Sequence, residues 1–552
     1  MAELLLGPVL RYVDPTQATL WVETDAPCDV DVLGHTARTF TVEGRHYALV
    51  IVDGLEPGSS HPYEVRLDGA RRWPEDGSPF PPSTIRTPAE DEPARIAFGS
   101  CRVSVPHEPP YTLRKEDDDR GREIDALYAL ALRMRDEPEE RWPNRLLLLG
   151  DQVYADEVSP RTLEYIERKR GTDEPPGEQV ADLDEYVQLY RESWGEPTMR
   201  WLISTLATAT IFDDHDVHDD WNISGAWVED IRREPWWDER IVGAFVSYWI
   251  YQHLGNLSPE ALEEDELWCA VRDSGGADCG PMLREFGRRA DREQDGSRWS
   301  YCRDYGGVRV MVIDSRAGRD FRDGRRQMVD DDEWGWICER LTGGHDHLVI
   351  ATSLPLLLGH GMHFFEAWNE AVCDGAWGKL AARLGEKLRR AVDLEHWAAF
   401  DSSFRRLTDR IREVAAGEHG PPPASITVLS GDVHHAYLAE VAFRREAGAQ
   451  SAVWQAVCSP VRNPLDARER RTIRFGGSRV AHVIGRALAR SAGVKDPDLR
   501  WRICEGPWFD NQIATLTLHE RSASIRLERT RPAEDSPDGR VMLEECFSRR
   551  LA

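Results

Sequence analysis

Asn144-Arg145-Leu146-Leu147-Leu148-Leu149-Gly150-Asp151-Gln152-Val153-Tyr154-Ala155-Asp156-Glu157 holds the pattern from which the rest of the chain can be read. Four successive leucines are too short a run for a helix and apolar on every face, as a strand buried in a sheet requires. Gly150 then lets the backbone turn and leaves the next carboxylate exposed at the sheet edge. The same grammar recurs along the chain. RIAFGSCR (95–102), TATIFDDHDVHDDW (208–221), VRVMVIDSR (308–316), HLVIATSLP (347–355) and SITVLSGDVHHAY (425–437) each carry a buried apolar run into a turn bearing Asp, His, Cys or Ser. Amphipathic segments at 123–136, 182–194 and 368–397 separate them and read as helices. Alternating strands and helices imply an α/β domain, whose ligands gather beyond the strand C-termini.

Residues 1–90 follow another rule. Short β-branched or alternating runs at 18–24, 28–33, 38–44, 46–55 and 63–69, punctuated by Gly, Pro and Asp, predict an all-β sandwich. Leu55-Glu-Pro-Gly-Ser-Ser-His-Pro-Tyr63 resembles the E–F corner of fibronectin type III modules, with His61 where those carry Tyr. The Pro- and acid-rich run 72–94 reads as a linker, and 95–535 as the α/β domain with insertions. Polar stretches at 159–180, 228–240 and 255–300 are expected to lid the site. Residues 476–494 predict a basic amphipathic helix with Val480, Val483, Ile484, Ala487 and Leu488 on one side, and 512–530 a strand pair.

Composition narrows the partners. The net charge is 69 − 97 = −28 over 552 residues, a field that repels nucleic-acid backbones and anionic membranes. One stretch runs the other way: 462–502 holds eleven Lys/Arg against four Asp/Glu. It would gather an anionic substrate or dock on the acidic body. Ten cysteines form no C-x-x-C pair, the opening residues show no cationic leader or twin-arginine signal, and the longest apolar run is broken and too short to span a bilayer. A cytoplasmic, reduced protein with no membrane partner is expected.

The chemistry sits in three strand ends. Gly150-Asp151 with Tyr154, the cluster Asp213-Asp214-His215-Asp216-Val217-His218-Asp219-Asp220, and Ser430-Gly431-Asp432-Val433-His434 combine carboxylates with imidazoles. Five carboxylates within eight residues repel one another unless cations sit among them. Carboxylate with imidazole suits a hydrolytic metal rather than an all-oxygen calcium loop. Cys101 adds a thiolate and Tyr154 a phenolate, anions that suit a high-valent iron better than zinc or magnesium. EF-hand, H-E-x-x-H, P-loop, G-x-S-x-G and kinase signatures are all lacking.

Taken in order, G-D-x-x-Y (150–154), D-D-H-[DE] (213–216), D-[ST]-R-x-x-R (314–319) and S-G-D-x-H (430–434) resemble the alkaline phosphatase D-like (PhoD-like) branch of the calcineurin-like metallophosphoesterases. The N-terminal sandwich followed by F-G-S-C fits the same branch. The resemblance implies a four-layer αββα sandwich behind the fibronectin/Ig-like one. It implies that Asp151 bridges two metals, that Cys101, Tyr154 and His434 complete an iron site, and that Asp214 and Asp432 hold a second ion, Ca²⁺ beside Fe³⁺. His215 would be a general acid or orienting group, and Arg316 a phosphate clamp. Relative to the wider superfamily, an amide ligand has become Asp214 and the middle histidine has no clear match, His360 and His363 being the candidates. The expected function is hydrolysis of phosphate mono- and/or diesters by a metal-bound hydroxide. A metal-dependent hydrolase of another ester, or an inactive metal-binding protein, would carry some of the same features.

Overall fold

The computed structural model describes residues 1–293, 297–532 and 541–552. Two stacked sheets organise the larger part of the chain. In the first, the order is Ala207–Ile211, Arg145–Leu149, Ala94–Gly99, Gln512–His519, Ser522–Arg531 and Met542–Arg550. The first three run parallel, and Gln512–His519 pairs antiparallel with Ala94–Gly99. The strand pair expected at 512–530 is present, and the sheet continues past residue 535 through its last strand.

The second sheet has seven strands in the order Tyr301–Tyr305, Val308–Ile313, His347–Thr352, Ser425–Ser430, Ala452–Val457, Ala436–Phe443 and Leu499–Trp508. Phe98 and Leu147 of one sheet share a single apolar core with Val312 and Val349 of the other. Helix Ala126–Asp136 covers the outer face of the first sheet, while Ile337, Phe404 and Leu407 from helices Asp331–Arg340 and Asp401–Ala416 pack on Ile350 and Val428 of the second. The result is the four-layer αββα sandwich. Every residue of Arg145–Leu149, Ala207–Ile211 and Ser425–Ser430 is buried, which is why, past Arg145, these strands read as uninterrupted apolar or small runs.

Ahead of it stands a β-sandwich. One sheet orders Leu4–Val13, Ala18–Thr24, Arg45–Val52 and Phe40–Val42, the other His35–Arg38, Asp29–Val32, Val65–Leu67 and Ala70–Trp73, and Leu20, Val50, Val30 and Val65 meet between them. The opening strand Leu4–Val13 adds to the expected set; its apolar run lacks the alternation that marks its neighbours.

Two expectations are corrected. Residues 255–293 do not lid the strand ends: Trp268 packs edge-on against Phe40, and Asp278 accepts hydrogen bonds from the Glu43 and Gly44 amides at 2.9 and 3.2 Å. That insertion braces the N-terminal sandwich instead. Helix Arg479–Ser491 forms as expected but docks through Ala481, Gly485 and Ala489, small residues that allow close approach, and leaves Val480, Val483 and Ile484 exposed. No helix of the described residues is long and apolar enough to cross a membrane.

Candidate active site

The loaded turns meet at one end of the paired sheets, over a cleft of roughly 670 Å³. Its floor carries Asp151, Asp214, His215, Asp432 and His434, and its walls come from Leu358, Met362, Val392, Ile473 and Arg474. The side chains are aimed there by unusual backbone. Cys101, Asp151, Asp432 and His434 all have positive φ, at 57°, 48°, 65° and 52°. Left-handed conformations of non-glycine residues cost of order 1–3 kcal/mol each and cluster where function demands them. Two glycines allow the turns to close. A Cβ at Gly150 would lie 2.6 Å from that of Asp213, and one at Gly431 would collide with the Ser100 side chain.

One half of the cluster joins Cys101, Asp151 and His434, whose candidate ligand atoms all lie within 4.8 Å of one another. Tyr154 donates its hydroxyl to Asp151 at 3.3 Å. Burial first, then the charges of Asp151 and Asp432, push the Cys101 thiol well above its ordinary value, and burial does the same to the Tyr154 phenol. Ser459 donates to the Cys101 sulfur at 3.1 Å. Asn463 serves two neighbours: its amide donates to the Tyr154 oxygen at 3.3 Å, and its carbonyl contacts His434 Nδ1 at 2.9 Å. Donation from Nδ1 leaves Nε2 of His434 as the coordinating atom.

The other half is carboxylate. Candidate ligand atoms of Asp151, Asp213 and Asp214 again lie within 4.8 Å of one another. Burial first, and crowding among these acids after it, raises Asp151 and Asp213 well above the carboxylate range and Asp214 to about 6. Asp214 Oδ1 lies 3.3 Å from the Arg316 guanidinium, while Asp151 Oδ1 and Asp213 Oδ2 are buried without a hydrogen-bond partner. Buried carboxylate oxygens left unsatisfied in this way are costly, and a cation is what they lack. The residues therefore fit metal ions: a sulfur, a phenol and an imidazole on one side of Asp151, hard oxygens on the other.

Asp216 has a separate task. It accepts from the Gln152, Val153 and Asp213 amides at 3.2, 3.2 and 2.9 Å and so fastens two of the site loops together. His215 lines the cleft, with Nδ1 held by Asp156 at 2.9 Å. Burial alone would lower His215, but the Asp156 and Asp214 charges outweigh it and raise it well above its ordinary value. Asp156 is correspondingly held down to about 2: burial opposes this, and His215 prevails.

Arg316 stands apart from the cleft. Its side chain is 0% exposed and paired with Asp213, Glu395, Asp214 at 3.3 Å and Asp432 at 3.4 Å. Arg319 shares Glu395 at 3.2 Å. His360 and His363 do not reach the cluster. Their rings pack on Trp501, with centroids 4.4 and 4.7 Å away, so neither is the missing histidine.

His396 joins the site from outside the motifs. It lines the cleft, its Nε2 lies 3.2 Å from Asp432 Oδ2, and its Nδ1 lies 2.7 Å from Glu366 Oε1. Burial alone would raise Asp432, but His396 and Arg316 hold it below the ordinary range. No motif flags His396, Glu366 or Asn463, each set in an unremarkable local sequence. Glu366 sits within a helix and His396 and Asn463 in loops, so only the tertiary fold brings them to the strand ends.

Buried carboxylates, imidazoles, a thiol and a phenol converging beyond the C-terminal ends of parallel strands define a metal-binding hydrolase site as a class. A family model of PhoD-like phosphatases matches residues 128–502, and a model described as a domain of unknown function (DUF7800) matches 1–85. The chain belongs to the PhoD-like phosphatase family. Among solved structures it is similar to that titled "Structure of PhoD", with a TM-score of 0.58 at 13% identity, covering 99% of this chain and 92% of that one. A second is the purple acid phosphatase PPD1 from yellow lupin (Lupinus luteus) seeds, with a TM-score of 0.45 at 10% identity, covering 98% and 73%. No curated protein matches.

Proposed function

We propose that the chain is a binuclear metal-dependent phosphoesterase acting on phosphate mono- and/or diesters. The observation that carries this reading is the meeting of Cys101, Asp151 and His434 with Asp213 and Asp214 around shared, unpartnered carboxylate oxygens at the floor of an open cleft. Bound cations, Fe³⁺ beside Cys101 and Tyr154 and Ca²⁺ beside Asp214 and Asp432, would supply an acidified water and neutralise charge on the phosphate. Asp151 would bridge them, and His434 would complete the iron side.

The chain's own groups do the rest. Asp156 fixes His215 through Nδ1, so Nε2 is the atom from which a proton passes to the leaving oxygen. Arg316 holds Asp213, Asp214 and Asp432 in register and offsets their mutual repulsion. In this reading it is a positioning residue and not a phosphate clamp. Glu366 and His396 orient Asp432 from the other side. A chromogenic phosphodiester and a monoester, offered with iron and calcium, test the proposal: the native protein hydrolyses at least one and Asp151→Asn neither. Metal-replete native protein inert towards both would overturn it.

A further inference from the structure

Thirteen large apolar side chains are exposed among the described residues, and eight of them fall in 377–392 and 475–484. Phe475 lies at the end of helix Ala467–Gly476, and the others belong to two short helices, Lys379–Ala391 and Arg479–Ser491, and the turns beside them. Both helices flank a third, His360–Cys373. Gly385 abuts Val372 and Cys373 on one side of it, and Gly485 abuts Gly361 and Phe364 on the other. One flanking helix packs through Gly385 and Arg389, the other through Ala481, Gly485 and Ala489, and both turn large apolar residues outward. Leu380 and Leu384 point away from the body on one, Val483 and Ile484 on the other, with Leu380 73% and Val483 69% exposed. Half-buried Phe365 and Trp368 of the middle helix lie between them. A soluble chain rarely leaves such a group of side chains open to water without a partner.

Two further observations say what that partner is. First, the patch is continuous with the site: Met362 and Val392, which adjoin it, also line the cleft with Asp214 and His396, and Phe475 lies next to the cleft residues Arg474 and Gly476. Second, the patch is rimmed by cations. Lys379, Arg383, Lys387, Arg468, Arg471 and Arg479 are exposed, and none forms an ion pair among the described residues. On a chain of net charge −28, this face combines exposed apolar side chains with unpaired cations. Outward Leu, Val, Ile and Phe flanked by Lys and Arg are the features of helices that lie in the interface of an anionic bilayer.

We propose that this three-helix face docks on an anionic phospholipid surface and presents lipid-borne phosphate esters to the cleft. The docking rests on the surface alone, and the substrate class rests also on the phosphoesterase reading above. No spanning segment is needed: the attachment is peripheral, reversible and weakened by salt.

Cosedimentation of the metal-loaded protein with vesicles of phosphatidylglycerol and phosphatidylcholine, against phosphatidylcholine alone, tests the docking. The native protein is expected to pellet with the anionic vesicles. Substituting Leu384→Ser, Val483→Ser and Ile484→Ser together, or Arg471→Glu with Arg479→Glu, weakens binding on the order of tenfold or more. None of these residues lines the cleft, so hydrolysis of a soluble chromogenic ester stays unchanged and reports that the variants are folded. Absence of the native protein from both vesicle pellets would overturn the proposal. So would a native dimer in size-exclusion chromatography that Ile484→Ser disperses, since a second copy would then cover the face. Vesicle binding without hydrolysis of any ester would leave the surface standing and remove the phosphoesterase reading.

Discussion

Cys101, Tyr154 and His434 are held by neutral groups, the hydroxyl of Ser459 and the amide and carbonyl of Asn463, whereas Asp213, Asp214 and Asp432 are held by charge, chiefly that of Arg316. Asp151 stands between the two halves. In the proposed reading the first half takes an ion whose own charge would deprotonate a thiol and a phenol that burial otherwise keeps neutral. The second carries a guanidinium that offsets the acids' repulsion with or without an ion. Removing a cation should therefore cost the halves differently, and several perturbations can break or sharpen the contrast.

The largest effect belongs to the shared residue. Asp151→Asn should lower turnover by ~10³-fold or more and release both ions, read as kcat beside metal content. Loss of a single ion would mean that Asp151 serves only one half. Arg316→Ala comes next. It strands several buried carboxylates, and breaking a buried pair in this way costs ~3–5 kcal/mol, measurable by urea unfolding of the chelated protein. Arg316→Lys should recover part of that loss, because an ammonium supplies the charge without the fork. An unchanged stability in Arg316→Ala would show that the acids are neutral without it.

His396→Ala and Tyr154→Phe should separate the halves. The first weakens the second ion by ~10–100-fold and spares the visible absorption of a ferric phenolate or thiolate. The second removes or shifts that absorption and leaves the second ion bound. Identical effects of the two variants on both signals would erase the distinction.

The smallest effect is in pH. Burial raises Asp214 to about 6 and Asp216 to about 7, above an ordinary carboxyl near ~4. Between those values the folded chain binds more protons than the unfolded one, so stability is fullest below the unfolded value and falls as pH rises through the folded one. The melting temperature of chelated protein should thus decline from roughly pH 4 to 7, and metal loading should flatten that slope. A melting temperature that rises over the same interval would contradict the assignment.

The strand-end grammar is legible because these buried parallel strands carry no acid or imidazole until they end. That is why Asp151, Asp214 and Asp432 stand out in the sequence. Legibility fails wherever a partner arrives from a distant loop. His396 reaches Asp432, and Glu366 reaches His396, through a helical layer whose own sequence says only that it is amphipathic. Arg316 is legible as a residue but not in its surroundings, since four acids from three loops have to be brought round it. The exposed face of Arg479–Ser491 escapes the sequence for a related reason. Periodicity reveals that a helix has an apolar side, and the small residues Ala481, Gly485 and Ala489 opposite decide which side docks.

Anomalous diffraction from crystals of the metal-loaded protein, collected at the iron edge and at long wavelength, measures most directly whether these scattered side chains enclose two cations. The expected map has an iron peak within bonding distance of Cys101 Sγ, the Tyr154 oxygen and His434 Nε2, and a second peak beside Asp214 and Asp432, with Asp151 touching both. Peaks elsewhere, or a single ion that leaves Asp214 and Asp432 paired only to Arg316 and His396, would contradict it.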